Sequence, residues 1–370
     1  MNQALQANLE ASLGKAGKFT AIWQSEPNGR DFPLFTWMSK LFEPYVSEVI
    51  FDSSHQVVKD NAILFDAWVY ARDPAYYARF HGKNAFLVHP FDEFLDLGVD
   101  RYQHFRGVFR MIWSSVFNPK HVMVFPLGSY LDEPPATVVR ASERRYAWSF
   151  IGEAGKVSRP EMVRAFSPLE PHICLSETPV RGITFFNYKK DSMGRKRIPK
   201  QDFYQILGQS AFAPSPQGNA TLESCRPYDA LEVGAIPIVE RRLTMDYYKS
   251  LLGDHPLPTV TSWTEGRKFA IKLLNDPARL DDLQQTCVEW WKGYKADLIG
   301  RIGAFLEARS NTHDDLVPLK SNLPNLPFWQ YAELLRHHDL PGFSRRLAQQ
   351  AQRIVRQKKW RLAITKDGDV

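Results

Sequence analysis

The chain has 370 residues, 44% of them hydrophobic, with a formal charge of +6 and three cysteines. That length and apolar content exclude a disordered or fibrous chain and leave room for two domains with large cores, while the dispersed prolines and phenylalanines exclude a low-complexity block. Cys174, Cys225 and Cys287 are odd in number and far apart, which excludes a disulfide framework and a CxxC metal site and fits a reducing cytoplasm.

The amino terminus, MNQALQANLEASLGKAGKF, lacks the apolar core of a signal peptide, and no later stretch approaches ~20 uninterrupted apolar residues. Short apolar runs then recur between helical stretches: FTAIWQ, SEVIFD, AILFDAWV, AFLVHPFDEFL and HVMVFPLG. They predict an α/β layer with a mostly parallel sheet over residues 1–140. The polar, Pro-containing passage LDEPPATVVRASERR interrupts the pattern and marks a boundary. A second series follows over residues 141–310, with strands at YAWSFIGE, ITFFN, SAFAPSP, AIPIVE and TVTSW and helices at about 221–233, 266–274 and 278–306. Two consecutive α/β units predict a cleft between them, where ligands of open parallel sheets bind. Residues 311–370 read as a helical extension after the connector LVPLKSNLPNLPFW. Its last helix sets Phe343, Leu347, Ala351 and Ile354 on one face and Arg345, Arg346, Arg353, Arg356, Lys358 and Lys359 on the others. That helix either rests on an anionic membrane surface from the cytoplasmic side or docks across the two domains.

The most informative segment is SAFAPSPQGNATLESCRPYDALEVGAIPIVE, residues 210–240. It reads as strand, glycine loop, helix, glycine, strand. Pro214, Pro216 and Gly218 make a turn after the strand, and Asn219 or Thr221 caps the following helix, whose free N–H groups favour an anion such as a diphosphate. Glu223, Arg226 and Asp229 recur every three residues and would share a helix face. Arg226 offers a planar fork for phosphate and a carboxylate offers paired acceptors for ribose hydroxyls; alternatively the three form helical salt bridges and the glycines only make turns.

Ser210, Phe212, Pro216 and Gly218, followed by Ser224, Arg226, Asp229, Ala230, Leu231, Gly234, Ile236, Pro237 and Ile238, form a long ordered match to the donor segment of exostosin-like glycosyltransferases, with Asp229 where that family carries Glu. ERRYAWSFIGEAGKVSRPEMVRAF is similar to the opening of the family's donor domain and puts Gly152 at a strand end facing the cleft. HPFDEF, FRGVFRMIWSS and HVMVFPLG are similar to the acceptor side of the members related to ribitol xylosyltransferase. The resemblance covers roughly residues 85–240 and implies a GT-B fold, with an acceptor-side Rossmann-like domain over 1–140 and a nucleotide-sugar donor domain over 141–310.

It further implies an inverting glycosyltransferase whose base lies on the acceptor side. Glu93 and Asp92, which follow the strand AFLVHP, are the candidates, with an acidic helix start after Pro90 as the structural alternative; His89 is a further candidate. The leaving nucleoside diphosphate would be met by Arg226, by Arg110, by Arg144 or Arg145 and by the loop YKKDSMGRKRIPK, with no metal or other cofactor. Trp23, Trp68, Trp113 and Trp148 are expected in the core. The expected partners are a nucleotide-sugar, UDP-linked by the resemblance, and a glycan, glycolipid or capsule-like acceptor. No GxSxG, P-loop, HExxH or GxGxxG segment is present, and no RRM, KH, zinc or helix-turn-helix pattern points to nucleic acid. A silent scaffold with the same fold is the competing reading.

Overall fold

The computed structural model describes residues 17–24, 35–66, 74–90, 99–155, 158–176, 198–218, 221–242, 245–312 and 318–320, together with Ser344 and Ala348. The strands are β1 (Phe19–Trp23), β2 (Val46–Phe51), β3 (Ala62–Phe65), β4 (Ala85–His89), β5 (Gly107–Arg110), β6 (Val122–Val124), β7 (Tyr146–Ile151), β8 (His172–Leu175), β9 (Ser210–Ser215), β10 (Ile236–Glu240) and β11 (Thr259–Val260). The helices are α1 (Phe35–Phe42), α2 (Pro74–Ala78), α3 (Val99–Tyr102), α4 (Arg159–Phe166), α5 (Lys200–Gly208), α6 (Arg226–Glu232), α7 (Tyr247–Leu252), α8 (Trp263–Leu274) and α9 (Pro277–Ser310).

Two sheets result, and every pairing between neighbouring strands is parallel, as the continuous apolar runs predicted. The first has the order β2-β1-β3-β4-β5-β6 and the second β11-β10-β9-β7-β8. Counted from its own first strand, the second sheet has the order 2-1-3-4-5, which is also how the first begins. In this winding the chain leaves its first strand in one direction and returns on the other side. The connections therefore diverge at the carboxyl ends of the first and third strands and leave a crevice there. The crevices fall at β1/β3 and at β7/β9.

Strands β5 and β8, GVFR and HICL, add to those read from the sequence. The segments ITFFN and YKKDSMGRKR, Trp68 and the basic last helix lie outside the described residues, except for Ser344 and Ala348.

The 34-residue α9 starts at Asp276, whose side chain accepts from Arg279 N, and spans about 50 Å at 1.5 Å per residue. Sequence reading gave it wholly to the second unit, but it packs on both. Leu280 joins the core around Trp148 and Ile238, whereas Leu298, Ile302 and Leu306 join the core of the first sheet. Phe305 meets Phe109 edge-on at 5.1 Å, and a Cβ on Gly107 would stand 2.7 Å from the Phe305 ring. Gln284 accepts from Ala141 N at 2.8 Å and donates to Val139 O and Gly234 O, fixing the connection between the sheets. The stack Trp37–Trp291–Tyr228, with ring spacings of 5.7 and 5.4 Å, completes a shared apolar core.

Candidate donor-type site at the carboxyl edge of the second sheet

Pairing between β7 and β9 ends at Phe212, two residues before Pro214, which has no N–H to give; beyond that point β9 pairs only with β10. The second crevice opens there, and Gly218 and residues 223–226 line it. Gly152, just past β7, has φ +150°, and a Cβ at that position would lie 2.8 Å from Arg226 Nη2. Arg226 donates from Nη2 to Ile151 O at 3.2 Å and its guanidinium lies 4.4 Å from the centroid of the Phe150 ring. The strand-end glycine and the arginine expected from the sequence therefore meet.

The helix that carries Arg226 is shorter than predicted. It begins at Arg226, with Pro227 in its first turn, runs for seven residues and has no side-chain cap. Residues 221–225 instead fold back on Gly218, where a Cβ would collide with Glu223 O. Thr221 is therefore not a cap, and Asn219 lies outside the described residues. Glu223 precedes the helix and does not share a helical face with Arg226 and Asp229. Pro216 is buried directly after β9.

A cavity of about 550 Å³ lies at this edge, with Leu127, Tyr130, Arg159, Lys200, Tyr204, Gly218, Glu223, Arg226 and Asp229 in its wall. Leu127 and Tyr130 come from the segment that leaves the first sheet, so both halves line it. Arg159, the first residue of α4, donates from Nε to Gln217 O at 3.1 Å and from Nη1 to Glu153 O at 2.9 Å. Glu240, at the end of β10, accepts from Ser158 Oγ at 2.5 Å and Gln217 N at 3.2 Å and pairs with Arg242 at 2.6 Å. Burial pushes its carboxyl up, and the Arg242 charge opposes that.

The two acidic wall residues bind the first half. Asp229 Oδ1 accepts from Ser129 Oγ (2.7 Å), Tyr130 N (3.0 Å) and Tyr204 Oη (2.7 Å), so this oxygen is engaged within the protein. Glu223 Oε1 accepts from Leu127 N (3.1 Å) and Tyr228 Oη (2.7 Å), and Oε2 is buried. Burial raises Glu223 to about 7 and Asp229 to about 6, against the hydrogen bonds each receives. Between their anchors lies Gly128, at φ +67°, where a side chain would overlap the Trp37 ring.

Arg110 does not reach this cavity. It ends β5 inside the first half, where it donates to the Tyr102 hydroxyl and lies 4.5 Å from the centroid of the Phe117 ring. It belongs to a buried network at the carboxyl edge of the first sheet. Arg101 pairs with Asp66 at 3.0 Å, Tyr77 donates to Asp66 at 2.6 Å, and Arg101 Nη2 lies 2.7 Å from His89 Nε2. The same Nη2 lies 3.2 Å from His89 Nδ1, which also faces the Tyr102 hydroxyl at 2.5 Å. Asp92 and Glu93 lie outside the described residues.

Arg144 and Arg145 are also placed away from the cavity, at the opposite ends of the strands. Arg144 donates to Val139 O, Ser210 O and Val233 O, and Arg145 lies over the Tyr146 ring. Sequence reasoning missed Arg159, Ser129, Tyr204 and Glu240. Ser158-Arg159-Pro160 was a readable helix start for the first of these; the others act across long stretches of chain and leave no local signal.

Among the described residues no cluster of three or more His, Cys, Asp or Glu stands close enough to hold a metal ion, and no helix is long and apolar enough to cross a membrane.

No family model matches the chain, and no curated protein matches it. Among solved structures it is similar to a DNA-modifying β-glucosyltransferase at 10% identity and TM-score 0.48, over 79% of this chain and 99% of that one. It is similar to an α1,3-fucosyltransferase at 12% identity and TM-score 0.47, over 84% and 98%. It is also similar to T4 phage BGT in complex with UDP-glucose, at 10% identity and TM-score 0.44, over 78% and 98%. Likeness at this level leaves the function to be argued from the site.

Proposed function

We propose that the chain is a glycosyltransferase of GT-B arrangement that binds a nucleotide-sugar in the cavity at the β7/β9 crevice. The observation that carries this reading is Arg226, half-buried at the cavity wall and seated against Ile151 O, with Gly152 leaving it room. The cavity's volume suits a ligand of nucleotide size. The resemblance of residues 210–238 to the exostosin-like donor segment supports the same assignment.

In this reading the diphosphate charge is met by Arg226, Arg159 and Lys200 without a metal. The acceptor hydroxyl comes from the side of the first sheet and attacks the anomeric carbon. The new C–O bond forms as the bond to the β-phosphate breaks, with inversion, and the hydroxyl proton passes to Glu93 or Asp92. A UDP-linked donor and a glycan or lipid-linked acceptor complete the proposal.

The test is calorimetric titration with UDP, GDP, CDP and ADP, with and without chelator, on the native protein and on Arg226→Ala. Saturable, chelator-insensitive binding of one of them, weakened at least ~10-fold in the variant, is expected. Absence of binding by all four would refute the assignment, and binding without transfer to any acceptor would favour the scaffold reading.

A further inference from the structure

Among the described residues three cations line the cavity, and they are held differently. Arg159 is buried and fixed on the main-chain oxygens of Glu153 and Gln217, and Arg226 is fixed on Ile151 O and the Phe150 face. Lys200, the first residue of α5, has a side chain 50% exposed, and its ammonium lies 2.6 Å from Asp132 Oδ2, on a side chain 59% exposed.

Asp132 follows the 127–130 segment that Glu223 and Asp229 pin to the second half. Its Oδ1 accepts from Thr36 Oγ1 at 3.0 Å, and its main-chain oxygen accepts from Lys40. An exposed carboxylate from the connector thus sits against the one cation among the described cavity residues whose side chain is half exposed. Solvent-exposed ion pairs contribute little to stability, so exchanging one anion for another there is easy. A phosphate, with more charge and more acceptor oxygens than a carboxylate, is the stronger partner for an ammonium.

We propose that Lys200 is the anion-capturing residue of the cavity: its ammonium leaves Asp132 for the phosphate of an entering ligand, and Asp132 is the internal competitor that holds it until then. The proposal rests on the reading of the cavity as a diphosphate site. It adds a specificity for ligands with exposed phosphate charge, set by the competition.

Inorganic pyrophosphate and the four nucleoside diphosphates are titrated into the native protein, Asp132→Asn, Lys200→Gln and the double variant at low ionic strength. Asp132→Asn is expected to tighten binding about 3- to 5-fold and Lys200→Gln to weaken it about 10-fold. In the Lys200→Gln background the effect of Asp132→Asn is expected to vanish, which a general field effect of one lost negative charge would not do. Nucleotide binding that Asp132→Asn leaves unchanged, or changes equally in both backgrounds, overturns this proposal and leaves the donor site standing. Failure of every titrant to bind the native protein overturns both.

Discussion

The two carboxyl edges share a strand order and differ in what fills them. At the first, Asp66, His89, Arg101 and Arg110 end or follow strands and helices and turn toward one another, and all are buried. At the second, Arg226 and Lys200 stand at an open cavity and the buried acids Glu223 and Asp229 hold the other half of the molecule. Topology supplies a crevice twice, and the side chains that line the two differ. At one edge buried polar side chains pair with one another; at the other, arginines anchored on main-chain oxygens line a cavity.

The strongest way to break the comparison is to remove a member of the buried network. Asp66→Ala takes away the carboxylate facing the Arg101 guanidinium in a fully buried pair and is expected to lower stability by ~3–5 kcal/mol in urea unfolding. A loss under ~1 kcal/mol would show that the first edge is wetter than its geometry implies.

The acids at the second edge give an intermediate effect with a definite sign. Glu223 and Asp229 have folded values raised to about 7 and about 6, so the folded state binds more protons than the unfolded chain in mildly acidic solution. Their contribution is full below the ordinary carboxylate range and is lost as pH rises through those values. For Glu223 the loss is on the order of 3 kcal/mol. Stability is therefore expected to fall between about pH 5 and about pH 8, and Glu223→Gln should flatten that slope, as urea midpoints at the two pH values would report.

The smallest effect concerns Gln24, directly after β1 at the first crevice. Its buried carboxamide lies beside the Tyr76 hydroxyl, which donates to Val57 O, and among the described residues neither of its atoms has a partner of normal hydrogen-bond geometry. Gln24→Met should raise stability by ~1 kcal/mol, because it replaces a desolvated amide with an apolar chain of like volume. A decrease in thermal unfolding would mean that the amide is satisfied in solution.

Much of the architecture was legible. Runs such as AILF, AFLVH and IPIVE are buried on both faces and so are apolar without alternation, which marks parallel strands. Gly152 and Arg226 were legible because a strand-end glycine and an arginine beyond a glycine turn are local signals. The start of α6 was not: the spacing of Glu223, Arg226 and Asp229 fits a helix, but Pro227 and the close approach of Gly218 to Glu223 O stop it at Arg226. Arg110 misled because its place at a strand end says nothing about which neighbours close over it. The roles of Asp229 and Lys200 depend on Ser129 and Asp132, 100 and 68 residues away in sequence, a distance over which pattern carries no information.

Hydrogen exchange at both edges, with and without the tightest-binding nucleoside diphosphate, tests the central claim most directly. A ligand at the second edge should slow exchange at residues 151–153, 215–218 and 226–230 and at the 127–131 segment, and leave residues 64–66 and 88–90 unchanged. Protection confined to residues 64–66 and 88–90 would place the ligand at the first edge and contradict the account.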